Sequence, residues 1–223
     1  MKKISVKNIV VFRNKTEKNQ KTFLSNLGKS NEISLDGGGD YWVRSLSALS
    51  NAVKERNTDP IKNKIVDIAN DFKPNMIKQT KDMYERNLNI LHNYEDFDFS
   101  NWLPVNAKIL SRNSKKAIID ISGVPVQITP SQVYSFDDEE HKCVGAIWFL
   151  AKLQGFKKPE LGIFAEALHI YLSSNFENSY YVSAKNCLIV DVLNKEEINY
   201  QMIVDGEIPS LLFETLESIK KVR

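Results

Sequence analysis

The chain has 223 residues, 42% hydrophobic and 26% charged, with a formal net charge of +2. That length and balance allow a sizeable core without staples and exclude disordered and fibrous classes. No apolar run approaches the roughly 20 residues a bilayer span needs. Lys2 and Lys3 lead straight into an alternating pattern with no secretory signal, so a cytoplasmic protein without a membrane partner is expected.

Residues 3–12 read as a strand by alternation and β-branched content. Thr16 to Leu27 reads as a short helix with Phe23, Leu24 and Leu27 on one face. The run 35–40 (LDGGGD) is a turn by composition, and Asp40 is a good cap for the helix that follows. There Trp42, Leu46, Leu49 and Val53 recur at helical spacing. Asp59 and Pro60 repeat the start signal, a capping Asp and then Pro at the first helical position. The stripe of Ile61, Ile65, Ile68, Ala69 and Phe72 follows, and Pro74 interrupts it. A further helix runs to about Tyr94 with Met76, Ile77, Met83, Tyr84, Ile90 and Leu91 inward.

The pattern changes at the acidic, aromatic stretch 95–104. Beyond it 108–111, 117–121, 124–128, 133–136 and 144–149 read as strands, with turns at Asn113-Ser114, Ser122-Gly123 and 137–140. A helix from Pro159 to about Ser173 is apolar on most of its surface, as a buried helix is. A strand at 187–193 and a closing helix from about Pro209 complete the chain. The expected fold is mixed, α+β or α/β. A mainly helical region at 1–100, with an N-terminal strand, precedes a mixed sheet flanked by helices at 101–223, and the two form one compact unit.

Residues 1–100 hold 17 Lys and Arg against 13 Asp and Glu, and residues 101–223 hold 13 against 15. This asymmetry neither requires nor excludes a nucleic-acid partner. Cys143 and Cys187 sit in apolar runs and read as reduced core thiols. No phosphate-binding, dinucleotide, serine-hydrolase or zinc-protease motif occurs. The triple glycine at 37–39 precedes a helix, but Asp36 and Asp40 flank it and would repel an anion. His92, His141 and His169 lie far apart, and Glu166 and His169 share one helix face. The acidic run 137–140 reads as a solvated turn.

Residues 128–172 run strand, turn, strand and buried helix, and 187–193 add a strand. This order resembles the PD-(D/E)XK nuclease superfamily, its RecB-like branch above all, over about residues 105–195. The resemblance implies a restriction-endonuclease-like core. That family carries Asp after Pro on its first strand, Glu-x-Lys on its second and Gln-x-x-x-Tyr on the helix; its acids hold Mg²⁺ through oxygen. Here Ser131 follows Pro130, and Gly145-Ala146-Ile147 stands in place of Glu-x-Lys. Glu160 to Phe164 stands in place of Gln-x-x-x-Tyr. The resemblance therefore implies a nuclease fold whose catalytic motif is lost.

Three functions follow as expectations. The first is a non-catalytic module, without a cofactor, binding nucleic acid or a partner in a DNA-processing or phage-defence assembly. Arg44, Lys54, Arg56, Lys62, Lys64, Lys78, Lys81 and Arg86 would supply its phosphate contacts. The second is a protein-interaction subunit anchored by Phe97, Phe99 and Trp102. The third is a divergent nuclease with migrated Mg²⁺ ligands, Glu166 and Asp191, and Lys152 beside them. The oligomeric state is left open.

Overall fold

A computed structural model describes residues 2–27, 41–111 and 115–222. The expected turn at 35–40 with its glycines, the Asp40 cap and the turn at Asn113-Ser114 lie outside the described residues. The architecture is mixed, with eight α-helices and two mixed sheets among the described residues.

The elements run β1 (Ile4–Ser5), α1 (Val6–Arg13), α2 (Glu17–Asn26), α3 (Val43–Glu55), α4 (Asp59–Asp71) and α5 (Lys78–Tyr94). After a single 3-10 turn at Phe99–Asn101 come β2 (Lys108–Ile109), β3 (Ile118–Ile121), β4 (Val124–Gln127), β5 (Gln132–Asp137) and β6 (Lys142–Leu150). Then follow α6 (Lys158–Phe176), β7 (Tyr181–Asp191), β8 (Glu196–Asn199), α7 (Gln201–Val204) and α8 (Leu212–Val222).

The large sheet has strand order β2-β5-β6-β7-β8. β6 and β7 pair parallel through the α6 crossover, and the other neighbours pair antiparallel. The small sheet, β1-β4-β3, joins the ends of the chain's two halves: Ile4 pairs with Val126 in parallel register.

Strand β6 and the part of β7 from Cys187 onward are apolar without alternation because both faces are covered, while the first half of β7 is exposed or half-buried. Val144, Ala146 and Trp148 of β6, with Cys187 and Ile189 of β7, face a core built with α1, α6, α8 and the small sheet. Ile147, Phe149, Leu188 and Val190 face a second core built with α3, α4 and α5. The large sheet is thus the shared middle layer. Helix α3 packs on β5 and β6 with α4 and α5 against it, while α1 packs on α6 and α8. Phe97, Phe99 and Trp102 join this second core, where Trp102 meets Phe149 at 5.4 Å between ring centroids.

Several elements differ from the sequence reading. Residues 3–12 form a two-residue strand and then helix α1. The Ser5 hydroxyl accepts the Asn8 N–H at 3.3 Å and starts the helix. Val6, Ile9 and Val10, one face of that helix, are all buried. Packing outweighs the strand preference of the β-branched run. The cap of α4 is Thr58, not Asp59, which is the first helical residue with Pro60 the second; Asn57 Oδ1 accepts the Asp59 N–H at 2.9 Å and sets the turn. Ile77 precedes α5 and is exposed, not inward. Strand β8 and helix α7 lie where the sequence reading placed no element.

Candidate functional site

The acids named as migrated ligands serve two separate purposes. Glu166, buried on α6, accepts the N–H groups of Leu211 and Leu212 at 2.9 Å each, and the Ser210 hydroxyl at 2.5 Å. A helix start leaves N–H groups without partners inside the helix, and this carboxylate satisfies two of them for α8. Asp191 ends β7 fully buried and accepts the Phe156 N–H at 2.8 Å and the Leu193 N–H at 3.2 Å. Burial pushes its pKa above the ordinary value, against the pull of backbone N–H groups and the Lys152 charge. It pins the loop between β6 and α6. Gly155 in that loop is positive in φ at +70°, and a Cβ there would lie 1.7 Å from Asn194 Nδ2.

Lys152 is near Asp191 but pairs with Glu160, Nζ to Oε2 at 3.2 Å. Glu160 also accepts the Lys157 N–H at 2.9 Å and the Asn14 amide at 2.5 Å. Burial opposes the Glu160 charge, yet these bonds prevail and hold its carboxyl below the ordinary 4.5. Glu166 shares no bonding partner with this network. Among the described residues no group of three or more His, Cys, Asp and Glu is placed to hold a metal ion. The donor set does not fit Mg²⁺, because the oxygens that would bind it already face backbone N–H groups.

The positions aligned with the nuclease motif are packing positions. A Cβ larger than hydrogen at Gly145 would lie 2.7 Å from Asn186 Cβ and 2.9 Å from Tyr134 Cζ. Ile147 is fully buried beneath the α3–α5 layer. Ser131 Oγ accepts the Phe149 N–H at 3.0 Å.

Six of the eight cations expected to meet phosphate are engaged within the fold. Arg44 pairs with Asp71 at 2.7 Å and lies over the Tyr84 ring. Arg56, itself in the left-handed region, donates to the carbonyls of Val105 at 2.7 Å and Ala107 at 2.5 Å. Lys62 meets Asp96 at 3.6 Å and Lys64 meets Asp67 at 2.8 Å. Lys81 donates to the Pro74 carbonyl at 2.7 Å, and Arg86 donates to the Tyr41 hydroxyl. Lys54 and Lys78 are exposed.

A different place gathers available chemistry. An open cleft of about 680 Å³ lies between the β5–β6 turn, the last turns of α6 and the start of β7. His141 and Lys142 form one wall with Tyr180 and Tyr181. The His141 and Tyr181 rings lie 5.3 Å apart, and Lys142 Nζ lies 5.1 Å from the Tyr180 ring centre. His169 and Ser173 of α6, with Glu177 that caps its C-terminus, are four residues apart in turn and also line the cleft. Burial lowers the His169 pKa and favours the neutral ring, which offers one donor or acceptor at each nitrogen. Its plane stacks on Tyr200 at 4.0 Å, which fixes its orientation.

The acidic turn orders this wall. Asp138 accepts the N–H groups of Glu140 at 2.9 Å and His141 at 2.6 Å, and the Cys143 thiol at 2.9 Å. The thiol bond, with the two N–H groups, lowers the Asp138 pKa. Burial, then the Asp138 contact, push the Cys143 thiol up to about 12, which makes it a poor nucleophile. Cys187 is also a free, buried thiol.

Sequence reasoning named His141 and His169 but did not bring them together. The available signal was the polar series 169, 173 and 177 on an otherwise apolar helix. No helix among the described residues is long and apolar enough to cross a membrane. No family model, no curated protein and no solved structure matches the chain.

Proposed function

We propose that this protein is a non-catalytic module that binds nucleic acid through the cleft between the β5–β6 turn and α6. The observation that carries this reading is the convergence of His141, Lys142, Tyr180 and Tyr181 on an open cleft of about 680 Å³. The Lys142 ammonium beside the Tyr180 ring pairs a phosphate contact with a base contact. A cavity of roughly 300–1,000 Å³ accepts a nucleotide-sized ligand. The carboxylates that a metal nuclease would use are committed to the α8 start and to the β6–α6 loop. Of Phe97, Phe99 and Trp102, the anchors of the protein-interaction reading, Phe99 and Trp102 are buried in the second core and Phe97 is partly buried against it.

Glu140, beside His141 at 3.9 Å, and Glu177 also line the cleft and repel phosphate, so Lys142 is the lining residue that attracts the strand backbone. Fluorescence anisotropy of labelled oligonucleotides tests the reading. Lys142→Glu reverses an exposed charge and leaves the core alone. Its expected effect is about a fivefold or greater loss of affinity at low salt, shrinking as salt screens the contact. Equal affinity of the variant and the parent protein at every salt concentration would contradict it.

A further inference from the structure

The cleft's shape and lining narrow the ligand further, on the assumption that the nucleic-acid reading above holds. We infer that the cleft receives one unstacked base of a single strand, with Tyr181 as the stacking platform and His169, Ser173 and Glu177 meeting the base edge.

Three observations support this. Tyr181 is 58% exposed at the first position of β7, an unusual place to leave a large ring in water. His141 lies beside it as a tilted aromatic neighbour, ring centroids 5.3 Å apart and planes 32° apart. Every base has a π-face that can stack on an aromatic ring, whatever the sequence. His169, Ser173 and Glu177 are polar. Among the described residues no group hydrogen-bonds either ring nitrogen of His169, which leaves both for a ligand. Ser173 can donate or accept, and Glu177 accepts, as an exocyclic amino group requires. The bases of a duplex are stacked on one another and present only their edges, so a paired strand cannot use the platform.

The same ring-plus-phosphate chemistry is present in a free mononucleotide. Lys142, 5.1 Å from the ring of Tyr180 next to Tyr181, sets a cation beside the platform, and the cleft is open, so a strand can continue past the bound base.

The test uses the whole protein and a fluorescein-labelled single strand of about 12 nucleotides, within the usual site size of about 4–16. Tyr181→Phe keeps the platform and Tyr181→Ala removes it. The expected result is parental affinity for Tyr181→Phe and a loss of about tenfold for Tyr181→Ala, with an abasic strand binding the parent as weakly as the intact strand binds Tyr181→Ala. Tyr181→Ala binding as tightly as the parent overturns this inference alone and leaves the nucleic-acid reading standing. Duplex bound as tightly as single strand does the same. A mononucleotide that displaces the labelled strand as efficiently as the unlabelled oligomer overturns the strand as ligand. Failure of the parent protein to bind any nucleic acid overturns the underlying reading as well.

Discussion

Glu166 illustrates how a residue's chemistry is fixed by what surrounds it. A carboxylate on a buried helix needs partners, and here three donors at the start of α8 supply them. Glu166→Ala removes the acceptor and strands two backbone N–H groups. We expect a loss of about 2–3 kcal/mol, read as a lower denaturant midpoint with an unchanged slope. A variant of parental stability would mean that α8 does not depend on this cap. Glu160 makes a different prediction because its carboxyl is held below the ordinary 4.5. The folded state then binds fewer protons than the unfolded state in this range. Its stabilising contribution is complete above 4.5 and is lost as pH falls through the lowered folded value. Stability measured by denaturant titration should therefore decline below pH 4.5 more steeply in the parent than in Glu160→Gln. Identical slopes would contradict the Asn14, Lys152 and Lys157 bonding around this carboxylate.

The elements show why some of the fold was legible and some was not. Helix α6, strand β6 and the part of β7 from Cys187 to Asp191 are largely buried, so their continuous apolar runs identify them; Tyr181 to Asn186 of β7 are exposed or half-buried and carry no such run. Strand β8 has one buried residue, Ile198, and exists because β7 offers it an edge to pair with. No local pattern announces such a strand. Helix α1 is similar: its β-branched run fits a strand equally well, and the Ser5 cap with packing against α6 and α8 decides. Gly145 belongs to the β6–β7 contact. The register between these strands shifts at Val144 and Ala146, and Asn186 and Tyr134 press on the glycine. Gly145→Ala should cost about 1–3 kcal/mol by overpacking, read as a thermal midpoint several degrees lower. An unchanged midpoint would mean that Asn186 moves aside freely. The same crowding explains why an acid at this position, as the nuclease resemblance would require, has no room.

At the scale of the whole molecule, one five-stranded sheet carries α3, α4 and α5 over the second core on one face, and α1, α6, α8 and the small sheet over the first core on the other. The composition change near residue 100 marks the passage from the α3–α5 layer to the strands. The cleft arises at a margin of this arrangement, where the β5–β6 turn, α6 and β7 meet. Its residues come from three segments, so no sequence motif could display it. The nuclease motif positions lie under packed side chains, and the cleft lies elsewhere. Binding without cutting is the behaviour this arrangement supports. Anisotropy of a labelled single strand, followed by electrophoresis of the same samples with Mg²⁺ or with chelator, reads both properties together. The account predicts salt-sensitive binding that is equal with metal and with chelator, and an intact strand. No binding at low salt, or a strand cut only when Mg²⁺ is present, would contradict it.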